Sequence, residues 1–294
     1  MKKIFVALTA LLAVCSMQGQ VFYKISGNGL QSPSYIFGTH HLAPLSVIDS
    51  IPSARAALQS VDRVIGEIDM TIDQMQLGMA MQPYMMAPTD STLRDLIDPA
   101  DYERIAKEFP KYAPMPGMTL DMVAMMRPMV ATSMVSVGII GKNMPGYKPG
   151  EQLDIYFQQE VKKNGKEVKG LETPQMQAQL LYTTTPLTTQ AKDLVEILDN
   201  PSKVVESGQK LNASYLAQNL NELLTLNDEE QSPEEHAFME ALLDKRNANW
   251  LEALPALMGE KSNFIAVGAL HLPGEKGVLE GLRRLGYTVE PVWK

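Results

Sequence analysis

Apolar and polar positions change their period along this chain of 294 residues, and each change marks an element. Near the start, VFYKISGNG and PSYIFGTHH are short aromatic and β-branched runs separated by turn residues, which predicts a hairpin turning at SGNG. SIPSARAALQSV follows with Pro52 near a helix start, and DRVIGEIDM, another β-branched run, predicts a strand. The opening order is strand, histidine-bearing turn, helix, strand. From residue 70 to about 146 the character shifts. This segment holds 14 of the 19 methionines and breaks at QPYMMAPTD, PKYAPMPGM and NMPGYKPG, which predicts a helical insertion over about 71–150.

GEQLDIYFQQEVKKNGKEVKGLE then predicts a helix, a turn at Asn164 and Gly165, and a short strand. Mostly helices follow. In QSPEEHAFME, Ser232 caps, Pro233 suits the first helical position and Glu235 completes a capping box, so a helix is expected from there to Leu254. SNFIAVGALHLPGEKGVLEGLRRLGYTVEPVW closes the chain with a strand, a glycine-to-histidine turn, a helix ended by Gly286 and a last strand.

The two ends repeat one device. Aligned on Gly38 and Gly268, YIFGTHHLAP and FIAVGALHLPG each carry an apolar strand, Gly-x-x-His-Leu and a nearby proline, Pro44 or Pro273. His41 then corresponds to His271, and His40 takes the variable place of Leu270. Two related strand, turn, helix, strand units at the chain ends predict an α/β fold, with α+β as the alternative. Its central mixed sheet is flanked by helices in a single domain over 21–294.

Composition narrows the function. Thirty-four acidic against 26 basic residues argue against nucleic acid as a partner, because that needs a surplus of Lys and Arg. Lys2 and Lys3 before IFVALTALLAVC, then SMQGQ, predict a secretory signal over residues 1–20 and a periplasmic or secreted location. Lipidation at Cys15 is the competing reading, with Val14 bulky for the position before an acylated cysteine. The apolar run is too short for a permanent span. If Cys15 leaves with the signal, no cysteine remains for a disulfide or thiolate chemistry.

Glycines at strand ends allow sharp turns where α/β sheets gather ligands, and two imidazoles aimed at one point make a candidate metal site. The missing carboxylate is best supplied by Glu67, set in the apolar run Val64, Ile65, Ile68, where a charge must be paired, protonated or coordinated. Asp69 and Glu290 are rivals. A lone histidine at a strand end is ordinarily a hydrogen-bonded surface residue; His236, in an acidic capped helix, carries that reading, and His40 stands open between that reading and a functional one. Repetition favours His41 and His271 as ligands. Helical spacing also drops Arg246 and Asn247 into the apolar stripe of Phe238, Met239, Leu242, Leu243, Trp250 and Leu251. A guanidinium there needs a substrate anion, or a salt bridge to Glu172 or Asp154.

These residues resemble the TraB/GumN family, which is related to the Tiki metalloproteases and, more distantly, to ChaN haem-binding and erythromycin esterase proteins. The paired Gly-x-x-His motifs map to Gly38–His41 and Gly268–His271, and the glutamate of the strand after the first motif to Glu67. Asp154, Glu172, Gln177, Arg246 and Asn247 match further positions, while His40 replaces a more usual apolar residue and leaves open which imidazole points inward. The resemblance implies an α/β or α+β fold and, in the Tiki branch, a peptidase using manganese or cobalt.

The expected function is thus a secreted or periplasmic metal-dependent hydrolase acting on a peptide or small molecule. His41, His271 and Glu67 would hold a divalent metal (manganese, cobalt or zinc), Glu67 would be a ligand or general base, and Arg246 would stabilise an oxyanion. A haem, metal or apolar-ligand binding protein without turnover is the alternative, and an interaction module a third. The methionine segment reads as helix packing or an apolar substrate lid rather than a copper site. HExxH, Gly-x-Ser-x-Gly and phosphate-loop motifs are absent from the sequence.

Overall fold

A computed structural model describes residues 20–228 and 232–293. Strands β1 (Phe22–Ser26), β2 (Ser34–Thr39), β3 (Arg63–Gly66), β4 (Glu167–Gly170), β5 (Asn263–Gly268) and β6 (Thr288–Pro291) form one sheet in the order β4-β3-β5-β2-β1-β6. The block β4-β3-β5-β2 is parallel, whereas β1 runs antiparallel to both β2 and β6. The protein is therefore mixed α/β, with the first and last thirds of the chain sharing a sheet. The β1–β2 hairpin turns where the sequence predicts. Gly27, Asn28 and Gly29 there all have positive φ (79°, 45° and 80°), which glycine and asparagine tolerate best.

β2, β3 and β5 carry near-continuous apolar runs because helices cover both faces of a parallel sheet. The Leu153–Lys163 helix buries Leu153, Phe157 and Val161, spaced four apart, and Phe157 sits 4.7 Å from Phe264 and 5.0 Å from Phe37 between ring centroids. That anchoring sets Asp154 and Gln158, each one residue further on, toward the carboxyl ends of the strands. At the opposite ends, Arg63 is 2% exposed and donates to Asn263 Oδ1 (2.8 Å), Glu260 (3.1 Å) and Leu257 O (2.8 Å). It locks β3 and β5 at their amino ends.

The methionine-rich segment is helical, with helices Gln74–Met85, Leu93–Leu96, Pro99–Glu108 and Pro128–Asn143. Its core is mostly other residues: Leu93, Tyr102, Ile105, Phe109, Leu120 and Val135 pack, with Met118, against Leu194 and Leu198 of the Leu187–Asp199 helix. Met118 and Met144 are buried, but Met75, Met79, Met115, Met122 and Met125 are exposed. Branched and aromatic side chains fill this second core while methionine lines its margins.

The capping box at Ser232 forms in both directions, with Glu235 N donating to Ser232 Oγ (3.2 Å) and Ser232 N to Glu235 Oε2 (2.6 Å). The rod it starts runs past the expected Leu254. Pro233–Met239 leads through a π-helical turn at Glu240–Asp244 into Lys245–Glu260, which accommodates Pro255. Among the described residues no helix is long and apolar enough to cross a membrane. Residues 1–19 of the expected signal, Cys15 included, lie outside the described residues.

Candidate functional site

Four parallel strands end on one edge of the sheet, where α/β folds leave room for ligands. β2 ends at Thr39 and runs into His40 and His41, β3 delivers Glu67, β4 leads to Glu172, and β5 ends three residues before His271. The β3–β4 ladder continues beyond both strands through Leu171 N to Gly66 O (2.9 Å) and Glu172 N to Glu67 O (2.8 Å). Two carboxylates are thereby placed on adjacent backbones. Glu67 was expected inside an apolar strand, yet β3 stops one residue before it. Gln158 takes over the pairing there: its amide donates to Ile68 O (3.0 Å) and accepts from Met70 N (2.8 Å). A Cβ at Gly66 would come within 2.2 Å of that amide, so glycine is what lets the helix approach.

Arg246 binds this edge together. Its Nη2 donates to Glu67 Oε2 (2.6 Å), its Nε to Glu172 Oε1 (2.8 Å), and its Nη1 to both His271 Nε2 (3.0 Å) and Leu242 O (3.1 Å). The structural salt bridge that the apolar stripe called for is formed, with Glu67 and Glu172 as partners. Asp154 belongs to another cluster. Arg246 is 6% exposed and Asn247 2%. The π-helical turn lies immediately before them, and such turns recur at functional sites because one extra residue re-aims the downstream face. Trp250, read from sequence only as an apolar stripe residue, lies with its ring 4.3 Å from His271 and 4.8 Å from the Arg246 guanidinium. Its indole N–H also donates to Glu172 Oε1 (2.8 Å).

The remaining bonds fix protonation. Glu67 Oε1 accepts from Gly268 N (2.8 Å) and Oε2 also accepts from Gln177 Nε2 (3.0 Å). A Cβ at residue 268 would stand 3.3 Å from Glu67 Oε1, so the glycine lets the carboxylate rest on the β5 backbone. Burial opposes ionisation of Glu67, but His271, Arg246, His41 and the Gly268 N–H together hold its pKa down at about 2. Since Arg246 can only donate, His271 Nε2 accepts, and the ring proton sits on Nδ1, directed at Asn247 Oδ1 (2.7 Å). Asn247 Nδ2 donates to Lys276 O (3.0 Å), which fixes that amide's orientation. Burial lowers the His271 pKa to about 4; Glu67 opposes this, and Arg246 and His41 add to it. The ring is neutral at pH 7.

A second cluster forms around Asp154. Thr39 Oγ1 donates to Asp154 Oδ1 (2.5 Å), and His41 Nδ1 lies 2.9 Å from Oδ2. Asp154 raises the His41 pKa, although 64% of the side chain is in water, which screens the pull. His40 turns the other way. Its Nδ1 accepts from Leu42 N (3.1 Å), its ring lies 5.3 Å from Tyr215, and burial followed by the His41 charge lowers its pKa to about 4. His41 and His271 are therefore not equivalent, one exposed and the other 3% exposed. The sheet explains why: Gly268 pairs with Thr39, one residue beyond Gly38, so the repeated motifs are out of register. Glu290 stands exposed on the edge strand β6 beside Lys24, and Asp69 closes a local turn with Thr71.

Among the described residues no three His, Cys, Asp or Glu side chains are grouped so as to hold a metal ion. The donor chemistry points the same way. The single lone pair of His271 and Glu67 Oε2 both face the Arg246 guanidinium, and His271 Nε2 stands 3.8 Å from Glu67 Oε1. A divalent metal does not fit this arrangement. Sequence reading missed Thr39, Gln158 and Trp250. Thr39 held the one available signal, sitting between Gly38 and the histidine pair.

Ionisable residues thus gather at the carboxyl edge of the parallel strands of an α/β sheet, the edge where such sheets leave room for ligands. This chain belongs to the TraB/PrgY/gumN family, which it matches over residues 21–291. Among curated proteins it is similar to Metalloprotease TIKI1 of Xenopus tropicalis, at 24% identity over 310 residues, covering 87% of this chain and 59% of the relative. It is likewise 24% identical to Metalloprotease TIKI2 of Danio rerio over 311 residues, covering 88% and 58%. The chain thus spans under three-fifths of the length of these relatives. No solved structure matches it at a significant level.

Proposed function

We propose that this protein is a secreted or periplasmic hydrolase of the peptidase type, acting at the carboxyl edge of β2, β3, β4 and β5. The observation that carries this reading is the meeting of Glu67, Arg246 and His271, brought from two strand ends and a helix, with the Asp154-held His41 near enough to feel the charges of Glu67 and Arg246. Metalloprotease relatives support amide-bond hydrolysis as the chemistry.

Each role follows from the bonds already made. Four of the five Arg246 N–H donors are engaged, leaving one on Nη2 for a developing oxyanion. Glu67 Oε1 accepts a single protein hydrogen bond and keeps a lone pair for the attacking water. With a pKa of about 2 this carboxylate is a weak base, so it orients the water more than it deprotonates it. His41 feels the charge of Glu67 and holds its proton under the pull of Asp154. Its Nε2 would give that proton to the departing nitrogen and regain one from the water. His271, Asn247, Gln177 and Glu172 hold Arg246 and Glu67 in position.

The test is cleavage of a mixed peptide library by the purified mature protein, alongside His41→Ala, His271→Ala and the double variant. Loss of cleavage with retained folding is expected in each. Full activity in the double variant would refute the assignment.

A further inference from the structure

We infer that Arg246 is the resident cation of this site, filling with its guanidinium the place between Glu67, Glu172 and His271 that a divalent metal would need, so that the folded protein takes up no metal ion there. The inference rests on the proposed site, though not on its being a peptidase.

Three observations carry it. First, each nitrogen of the guanidinium meets a different acceptor: Nε meets Glu172, Nη1 meets His271 and Nη2 meets Glu67, at 2.6–3.0 Å. A planar fork serves three separate acceptors at once, each along its own N–H.

Second, His271 has no other lone pair to offer. Its Nδ1 carries the proton that Asn247 Oδ1 accepts, and Asn247 cannot flip without losing Lys276 O. A metal at Nε2 would have to displace the Nη1 group from its 3.0 Å contact.

Third, Arg246 has nowhere cheap to go. It is 6% exposed, bonded to Leu242 O and packed on the Trp250 ring. Withdrawing it would leave two buried carboxylates without their counter-charge, which is the costly way to break a buried ion pair. Charge arithmetic agrees, since one guanidinium against Glu67, Glu172 and a neutral imidazole leaves the cluster at −1. A dication added while Arg246 stays would bring it to +1 in a buried pocket.

The experiment is a cobalt(II) titration of the purified mature protein, read by visible d–d absorption and calorimetry, on wild type, His271→Ala, Arg246→Met and Arg246→Met with His271→Ala. Wild type should show no His271-dependent cobalt up to about 1 mM, the weak end of specific affinity. Arg246→Met should bind cobalt at least tenfold more tightly than wild type, and His271→Ala should abolish that gain. One equivalent of cobalt on wild type that disappears in His271→Ala would overturn the inference, as would a folded Arg246→Met with no gain. If Arg246→Met does not fold, the wild-type and His271→Ala titrations decide by themselves. Failure to cleave any peptide would sink the peptidase reading and leave this result untouched.

Discussion

Glu67→Gln is the most informative single substitution, because it removes one charge without changing shape. In the folded protein the carboxyl is held at about 2, against an ordinary value of 4.5, and its side chain is 14% exposed. At neutral pH, where His271 is uncharged, Arg246, His41 and the Gly268 N–H keep the carboxylate ionised, and a buried, charge-assisted arrangement of this kind contributes on the order of 2 kcal/mol of folding stability. The folded pKa lies below the unfolded one, so this contribution is complete above about pH 4.5 and is lost as pH falls toward 2. At about pH 3 it should have dropped to less than half. The variant adds a second cost that does not depend on pH. Every group hydrogen-bonded to the Glu67 carboxylate is a donor: Gly268 N on Oε1, Arg246 Nη2 and Gln177 Nε2 on Oε2. An amide placed there must turn its own NH2 toward one of them. The assay is urea unfolding of wild type and variant between about pH 3 and 8, followed by circular dichroism. The gap in unfolding free energy should be about 2 kcal/mol or more at neutral pH and narrow steadily below pH 4.5. A gap that stays constant from pH 7 to 3 would refute the claim that Glu67 is ionised and paired.

Three further outcomes follow from the same geometry. Asp154→Asn removes the charge that raises the His41 pKa, so the alkaline limb of the pH–rate profile should move to lower pH; an unmoved limb would exclude His41 as the proton donor. Trp250→Phe keeps the ring over His271 but deletes the N–H on Glu172 Oε1, which should cost about 1–3 kcal/mol in denaturant unfolding because a buried charged acceptor is left short. Gly268→Ala sets a methyl 3.3 Å from Glu67 Oε1 and 3.5 Å from His271; turnover should fall roughly tenfold or more, as misplaced reacting groups do, while far-ultraviolet circular dichroism stays unchanged.

Local pattern determined much of this protein. The SGNG hairpin, the strands at each end, the Ser232 capping box and the helical methionine segment are short-range matters of turn chemistry, capping and periodicity, and they appear where the residues demand them. The apolar stripe likewise marked Arg246 and Asn247 as buried. Tertiary structure decided which groups meet. His41 and His271 look alike in sequence, but a one-residue offset between Gly38 and Gly268 across β2 and β5 sends them into different surroundings, because register is a property of two strands together. The backbone just past Glu67 is held at Ile68 and Met70 by Gln158, 90 and 88 positions further along, and the π-helical turn that aims Arg246 has no mark in the residues that form it. Which of Glu172 and Asp154 would balance the guanidinium was open from spacing; the parallel pairing of β3 with β4 brings Glu172 beside Glu67 and settles it. A chain dictates its own turns and faces, whereas the partner of a buried charge is set by whatever the sheet lays alongside it.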